Sequence, residues 1–279
     1  MKDYIFSDLA CEIEGKEEGS EIRKTEQGVT RMRLEGERYG VRCGEYVTVS
    51  ADLANTLLAD SYERVCQTVA RELKDMMRKA LGGELGRSSS VLVVGLGNAE
   101  LTPDSLGPET ARRIFVTGAA TSDGARCSVS AIAPGVLGST GIETVEIVRG
   151  VADRIRPDLV VAVDALAARS HARVASVVQL SNVGIAPGSG LGARREILHS
   201  ESVGVPVLAI GVPTVVRSSS LLADAFLRCG MREGDARLRQ VLEEQRSFFV
   251  TPKEIDLIIK SASMLLADAI DRACMIVNV

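Results

Sequence analysis

Two apolar runs in this chain lead to aspartates. The first is Val91-Leu92-Val93-Val94-Gly95-Leu96-Gly97-Asn98-Ala99-Glu100-Leu101-Thr102-Pro103-Asp104, the second Leu159-Val160-Val161-Ala162-Val163-Asp164. Two opposed carboxylates share one proton, so that the ionised one takes a proton from water while the protonated one polarises a carbonyl. That division of labour suffices for peptide hydrolysis without a metal. An aspartate at a strand end has a plainer use, capping the helix that follows. For Asp164, ahead of Ala165-Leu166-Ala167-Ala168-Arg169, the pattern alone leaves the two readings level.

The elements that must carry these acids follow from the same runs. A short, continuous β-branched stretch bounded by turn residues reads as a strand buried on both faces, as in a parallel sheet covered by helices. Sites in such sheets lie just past the carboxyl ends of the strands. Upstream, Gly28 to Leu34 and Tyr46 to Val49 alternate with period two and predict half-exposed antiparallel strands. Residues 51–81 carry a helical stripe of Leu53, Leu57, Tyr62, Val65, Val69, Leu73 and Met77, stopped by Gly82-Gly83. Further helices are predicted from Pro108 to about Thr117 and from Thr140 to Ile155, and further strands at 174–180 and 205–211. Thr251-Pro252-Lys253-Glu254 has the pattern of a capping box opening a helix from Ile255 to about Ala273.

Other chemistries find less support. The six cysteines are scattered without a C-x-x-C pair, and His171 and His199 lack zincin spacing. No G-x-S-x-G elbow occurs, and Gly188-Ser189-Gly190 lacks a preceding strand. Gly95-Leu96-Gly97 opens like a dinucleotide fingerprint but has Glu100 where the third glycine belongs, so it reads as a tight turn aiming the chain toward Asp104. Arg194-Arg195 reads as a solvated face. The net charge of -4 speaks against nucleic acid as the main ligand, and no apolar stretch is long enough to span a bilayer. The acidic start of the chain, Met1 to Asp8, does not resemble a signal peptide, so a cytoplasmic protein is expected.

Longer motifs are more specific. Val93 to Asn98 with Thr102 to Pro108, Ser128 to Val136 with Gly141 to Thr144, Val163 to Ser170, Pro187 to Gly190, Ala209 to Val216 and Val250 to Asp256 occur in one order. Together they resemble the germination protease family, the spore proteases that degrade small acid-soluble spore proteins. The likeness runs from about residue 6 to residue 273.

The resemblance implies an aspartic endopeptidase of α/β fold: a three-layer, mainly parallel twisted sheet flanked by helices, like the hydrogenase maturation proteases, with a small N-terminal antiparallel addition. Its essential aspartates fall on Asp104 and Asp164, and Glu143, Arg169, Gly188, Ser189 and Gly190 are implied to contact substrate. It implies a zymogen that cuts itself between Asp8 and Leu9, making residues 1–8 a propeptide. Residues 9–279 would form one peptidase domain, with 9–50 as the β addition and 251–273 as the C-terminal helix. The implied substrates are small acid-soluble spore proteins, cleaved after an acidic residue during germination in the spore core. The implied assembly is a homotetramer, with no cofactor, metal, membrane or direct nucleic-acid partner. The sequence departs from the family at Arg217, where an acidic residue is usual, and in a compact insert before the C-terminal helix. Two rivals are a metal-dependent maturation-type peptidase on the same fold and a non-catalytic peptide-binding protein.

Overall fold

The computed structural model describes residues 7–12, 20–24, 28–36, 41–54, 59–118, 127–186, 196–230 and 248–275. Among them, nine strands form one sheet: β1 (Ser20–Lys24), β2 (Val29–Leu34), β3 (Gly44–Ser50), β4 (Ser90–Gly95), β5 (Ser128–Ile132), β6 (Leu159–Ala168), β7 (Val177–Ser181), β8 (Val207–Arg217) and β9 (Phe249–Val250). The strand order is β1-β2-β3-β7-β8-β6-β4-β5, with β9 paired to β8. Strands β5, β4, β6 and β8 run parallel, while β1, β2, β3 and β7 continue the sheet antiparallel. The predicted parallel core is therefore present. The antiparallel part is larger than the N-terminal addition alone, because β7 turns back against β8 and gives β3 an edge to join.

The central strands are apolar on both faces because both are covered. Val91 and Val93 of β4 face one helical layer, α1 (Ala59–Leu81), α2 (Leu106–Ala111) and α7 (Ile255–Ala273). Leu92 and Val94 face the other, formed by α4 (Thr144–Ile155) and α5 (Ser200–Val203), with Val145, Val148 and Val203 in that cluster, while the short helix α3 (Leu137–Thr140) before α4 is exposed. The helix α6 (Ser218–Arg228) follows β8.

Several elements differ from expectation where tertiary contacts overrule local pattern. Helix α1 begins at Ala59 among the described residues; Leu53 lies in a preceding turn, fully buried, its amide donating to the Ala175 carbonyl at 2.9 Å. Helix α2 stops at Ala111, and the Phe115 amide is taken by the Asp271 carboxylate of α7 at 3.1 Å. The capping box at Thr251 does not form: the Thr251 hydroxyl donates to the Thr214 carbonyl at 2.9 Å, and Glu254 starts α7 without a side-chain cap. Strand β6 runs five residues past Val163 instead of yielding to a helix, so Asp164 caps no helix. Arg217, the departure from the family pattern, starts α6 with its guanidinium 6.0 Å from the centre of the Phe249 ring, within cation–π reach. The insert at 231–247 lies outside the described residues, as do Gly188 to Arg195.

The cysteines form no disulfide, and burial pushes the Cys66 thiol up to about 11. The antiparallel strands are tied to the helical layer by a charge. Glu72 of α1, 2% exposed, accepts from Arg31 Nε at 2.9 Å and Nη2 at 2.6 Å on β2. Removing the arginine leaves a buried carboxylate without its main partner, a loss of 3–5 kcal/mol for an enclosed pair. Arg31 is 41% exposed, so water offsets part of this. Arg31→Met should lower unfolding free energy by about 2–3 kcal/mol in urea melts, and the double variant Arg31→Met/Glu72→Met should recover most of it.

Candidate active site

The elements that carry the two aspartates reach the same end of the sheet by different routes. Asp164 is an internal residue of β6, and its predecessor Val163 pairs with Gly95, the last residue of β4. The ladder ends one step later, with the Leu96 amide donating to the Val163 carbonyl at 2.8 Å. Beyond Leu96 the chain folds over itself. Asn98 Oδ1 accepts the Glu100 amide at 3.0 Å, the Leu101 amide returns to the Asn98 carbonyl at 3.1 Å, and Thr102–Asp104 forms a 3-10 turn with Pro103 in its opening positions. The turn packs against β6, β8 and α7. Asp104 thus stands on the β4 loop above the strand end that carries Asp164.

Three glycines allow this approach. A Cβ on Gly97 would lie 2.0 Å from the Asp104 carbonyl oxygen, and its φ of +112° is one that L side chains rarely adopt. A Cβ on Gly107 would lie 2.2 Å from the Leu96 oxygen and 2.5 Å from the Val163 oxygen, while one on Gly95 would meet the Gly107 carbonyl at 2.2 Å. The first turn of α2 is therefore seated backbone to backbone on the ends of β4 and β6.

Each carboxylate is held by an amide. Asp104 Oδ2 accepts from Asn98 N at 2.7 Å, and Asp164 Oδ1 accepts from Ala165 N at 2.9 Å. Asp164 is 4% exposed and Asp104 is half-buried. Asp164 pairs in register with Gly211 of β8, where a Cβ would come within 2.6 Å of the Asp164 carbonyl oxygen. A cavity of about 110 Å³ continues along this face, lined by Asp8, Arg42, Tyr46, Leu166, Gln179 and Gly211.

The other expected residues divide. Glu143 is the N-cap residue of α4, whose Val145 and Val148 pack in one cluster with Val160 and Ala162 of β6. Arg169 follows β6 directly, its amide donating to Glu12 Oε2 at 2.7 Å. Gly188, Ser189 and Gly190 lie outside the described residues. Asp8 and Leu9 are neither ragged nor exposed. Leu9 and Ala10 are fully buried, the Asp8 carbonyl accepts from Gln179 Nε2 at 2.8 Å, and the Ala10 amide donates to Gln179 Oε1 at 2.7 Å. The Asp8–Leu9 bond is enclosed in this conformation. Among the described residues no group of three or more His, Cys, Asp or Glu side chains is arranged to hold a metal ion, and the imidazole of His199 caps α5, its Nδ1 accepting from Ser202 N at 3.0 Å.

Comparison with known proteins decides the kinship. A model of the family described as germination protease matches residues 8–236. The chain belongs to the germination protease family. Similar relatives include the germination protease of Caldanaerobacter subterraneus subsp. tengcongensis, 40% identical over 92% of this chain and 86% of that one. That of Clostridium acetobutylicum is 38% identical over 85% and 80%, and that of Oceanobacillus iheyensis 44% identical over 69% and 53%. Among solved structures, the [NiFe] hydrogenase maturation protease HycI from Thermococcus kodakarensis KOD1 matches 70% of this chain and 98% of its own, at 18% identity and a TM-score of 0.38. Germination protease membership makes the chain a peptidase with a role in spores. No helix among the described residues is long and apolar enough to cross a membrane.

Sequence reasoning missed Gln179 and Glu12. Both act through backbone groups far away in the chain, and a buried glutamine in a strand carries no local signal. Gly97 offers a direct test of the seating. Gly97→Ala should lower kcat by about 100-fold or more, since misplacement by an ångström costs that much, with a visible drop in Tm. Gly82→Ala, at φ +69° with open space around it, should cost only about 1–2 kcal/mol of stability and leave peptidase activity unchanged.

Proposed function

We propose that this germination protease is an aspartic endopeptidase whose acid pair is Asp104 and Asp164. The observation that supports the reading is the contact between their carriers: the Leu96 amide is bonded to the carbonyl of Val163, which precedes Asp164, and Gly97 is packed against the Asp104 backbone. A water held between the carboxylates loses a proton to the ionised one while its oxygen attacks the scissile carbonyl carbon. The protonated partner donates a hydrogen bond to the carbonyl oxygen. On collapse the C–N bond breaks and the proton passes to the leaving amine. The two groups titrate as a pair, so acid and base roles belong to the dyad and not to either residue alone.

By family resemblance the substrates are small acid-soluble spore proteins, cut after an acidic residue during germination, and the working form is a homotetramer. The same resemblance makes residues 1–8 a propeptide removed by cleavage between Asp8 and Leu9. That bond is held by Gln179 and followed by a fully buried leucine. Self-cleavage therefore requires the segment to leave its seat first, presenting an extended chain to a dyad in the same or another copy.

Incubation with a purified small acid-soluble spore protein, followed by mass mapping of the new ends, tests the activity. Fragments ending in Asp or Glu are expected. Asp104→Asn and Asp164→Asn should each abolish cleavage while the circular dichroism spectrum and Tm stay near those of the parent. EDTA should leave the rate unchanged. Retained turnover in Asp164→Asn would sink the dyad; loss of activity with EDTA would favour a metal-dependent peptidase on this fold.

A further inference from the structure

Strand β6 outruns its neighbour on one side only. The pairing with β4 ends at Gly95 and Val163, whereas the pairing with β8 continues to Ala168 and Val216. Backbone groups alternate sides along a strand. The Val163 carbonyl points toward β4, and past the end of β4 the main-chain groups of Ala167 and the amide of Arg169 find partners outside the sheet. Strand β6 is buried throughout except at Ala165, beside the buried Asp164. A strand edge that no neighbouring strand pairs is a template for an extended chain.

In this structure part of that edge is already taken by the chain's own N-terminal segment, in a strand-like manner. The Asp8 amide donates to the Ala167 carbonyl at 2.9 Å, and Asp8 Oδ2 accepts the Ala167 amide at 2.8 Å, standing where a peptide carbonyl would in a regular ladder. Glu12 closes the segment, accepting from Arg169 N at 2.7 Å and Ser170 N at 2.8 Å. Between them Leu9 enters an apolar pocket with Leu166, Ala168 and Val177. Ala167 lies about 10 Å along the strand from Asp164, at roughly 3.3 Å per residue. The Ser7–Glu12 segment therefore covers the outer half of the edge and stops short of the aspartate.

We propose that the open edge of β6 from Ala165 to Arg169 is the binding site for substrate, which adds as an extended strand running past Asp164, and that Ser7–Glu12 must withdraw for it to do so. This rests on the peptidase reading above and specifies where its substrate lies. Affinity comes from the main-chain groups of Ala167 and Arg169 that Asp8 and Glu12 release, with the Leu9 pocket taking an aliphatic side chain; such strand addition tolerates varied sequences and selects through alternate side chains. It suits a substrate that arrives unfolded.

The test uses the full-length Asp104→Asn chain, with cleavage by the parent chain measured separately, and a fluorescein-labelled ten-residue peptide containing Glu-Leu-Ala. In the Asp104→Asn background, Asp8→Ala/Glu12→Ala should bind the peptide at least about tenfold more tightly, since a tethered competitor acts at an effective concentration near the millimolar range. Hydrogen exchange then locates the peptide. In the clasp variant it should slow exchange at the Ala167 and Arg169 amides. With the clasp intact, saturating peptide should speed exchange at Leu9, Ala10 and Glu12, whose amides are bonded in the docked segment; this measurement decides the matter should the clasp variant fail to fold. Binding without change at these amides, no gain in affinity in a folded clasp variant, or no binding to either chain overturns the proposal. Those results leave the peptidase reading standing if the parent chain still cleaves; absence of cleavage by the parent strikes at that reading instead.

Discussion

The arrangement depends on a contact between backbones. The first turn of α2 rests on the ends of β4 and β6 with no side chain between them, because Gly95 and Gly107 have none to interpose. The same closeness recurs at Gly97, on which the Asp104 backbone sits. Helix-to-sheet packing through side chains would hold these elements several ångströms further apart. An added methyl group here meets main chain, which yields far less readily than the end of a flexible side chain. The loop that carries Asp104 and the strand that carries Asp164 meet because this seat brings their backbones together.

A second constraint is unequal strand length. Strand β6 must extend beyond β4 if Asp164 is to stand at the junction instead of inside the sheet, and the extension leaves main-chain donors and acceptors unpaired on one side. Buried or half-buried backbone groups need partners. Asp8 and Glu12 supply them with carboxylates brought from the opposite end of the sequence. Their position explains why Leu9 and Ala10 are as deeply buried as core strand residues. A segment that straddles the expected self-cleavage point is, by contact, packed against β6.

Much of the framework was legible in advance. The β-branched runs at 91–94 and 159–163, the alternation at 28–34 and 46–49, and the stripe along α1 each correspond to an element of the expected kind. The misses share a cause. Helix α2 ends before Thr117, where its pattern would carry it, and Asp271 of α7 captures the Phe115 amide. Thr251 has the look of a cap, but a carbonyl of β8 claims its hydroxyl. Asp164 was balanced between capping and catalysis because the five residues after it have helical propensity; pairing with β8 keeps them extended. In each instance a partner distant in sequence outweighed a weak local preference.

The sequence by itself determined the strands that must be buried on both faces, the helices that cover them, and the two acids at the ends of apolar runs, because periodicity and residue type act over a few neighbours. It also carried the motifs by which the chain belongs to the germination proteases. Only the tertiary structure decided that β7 turns back to extend the sheet, that the β4 loop lies over the β6 end, and that residues 7–12 clasp the open edge. Those outcomes depend on hydrogen bonds and van der Waals contacts between groups up to 171 residues apart, and separations of that size leave no trace in local pattern.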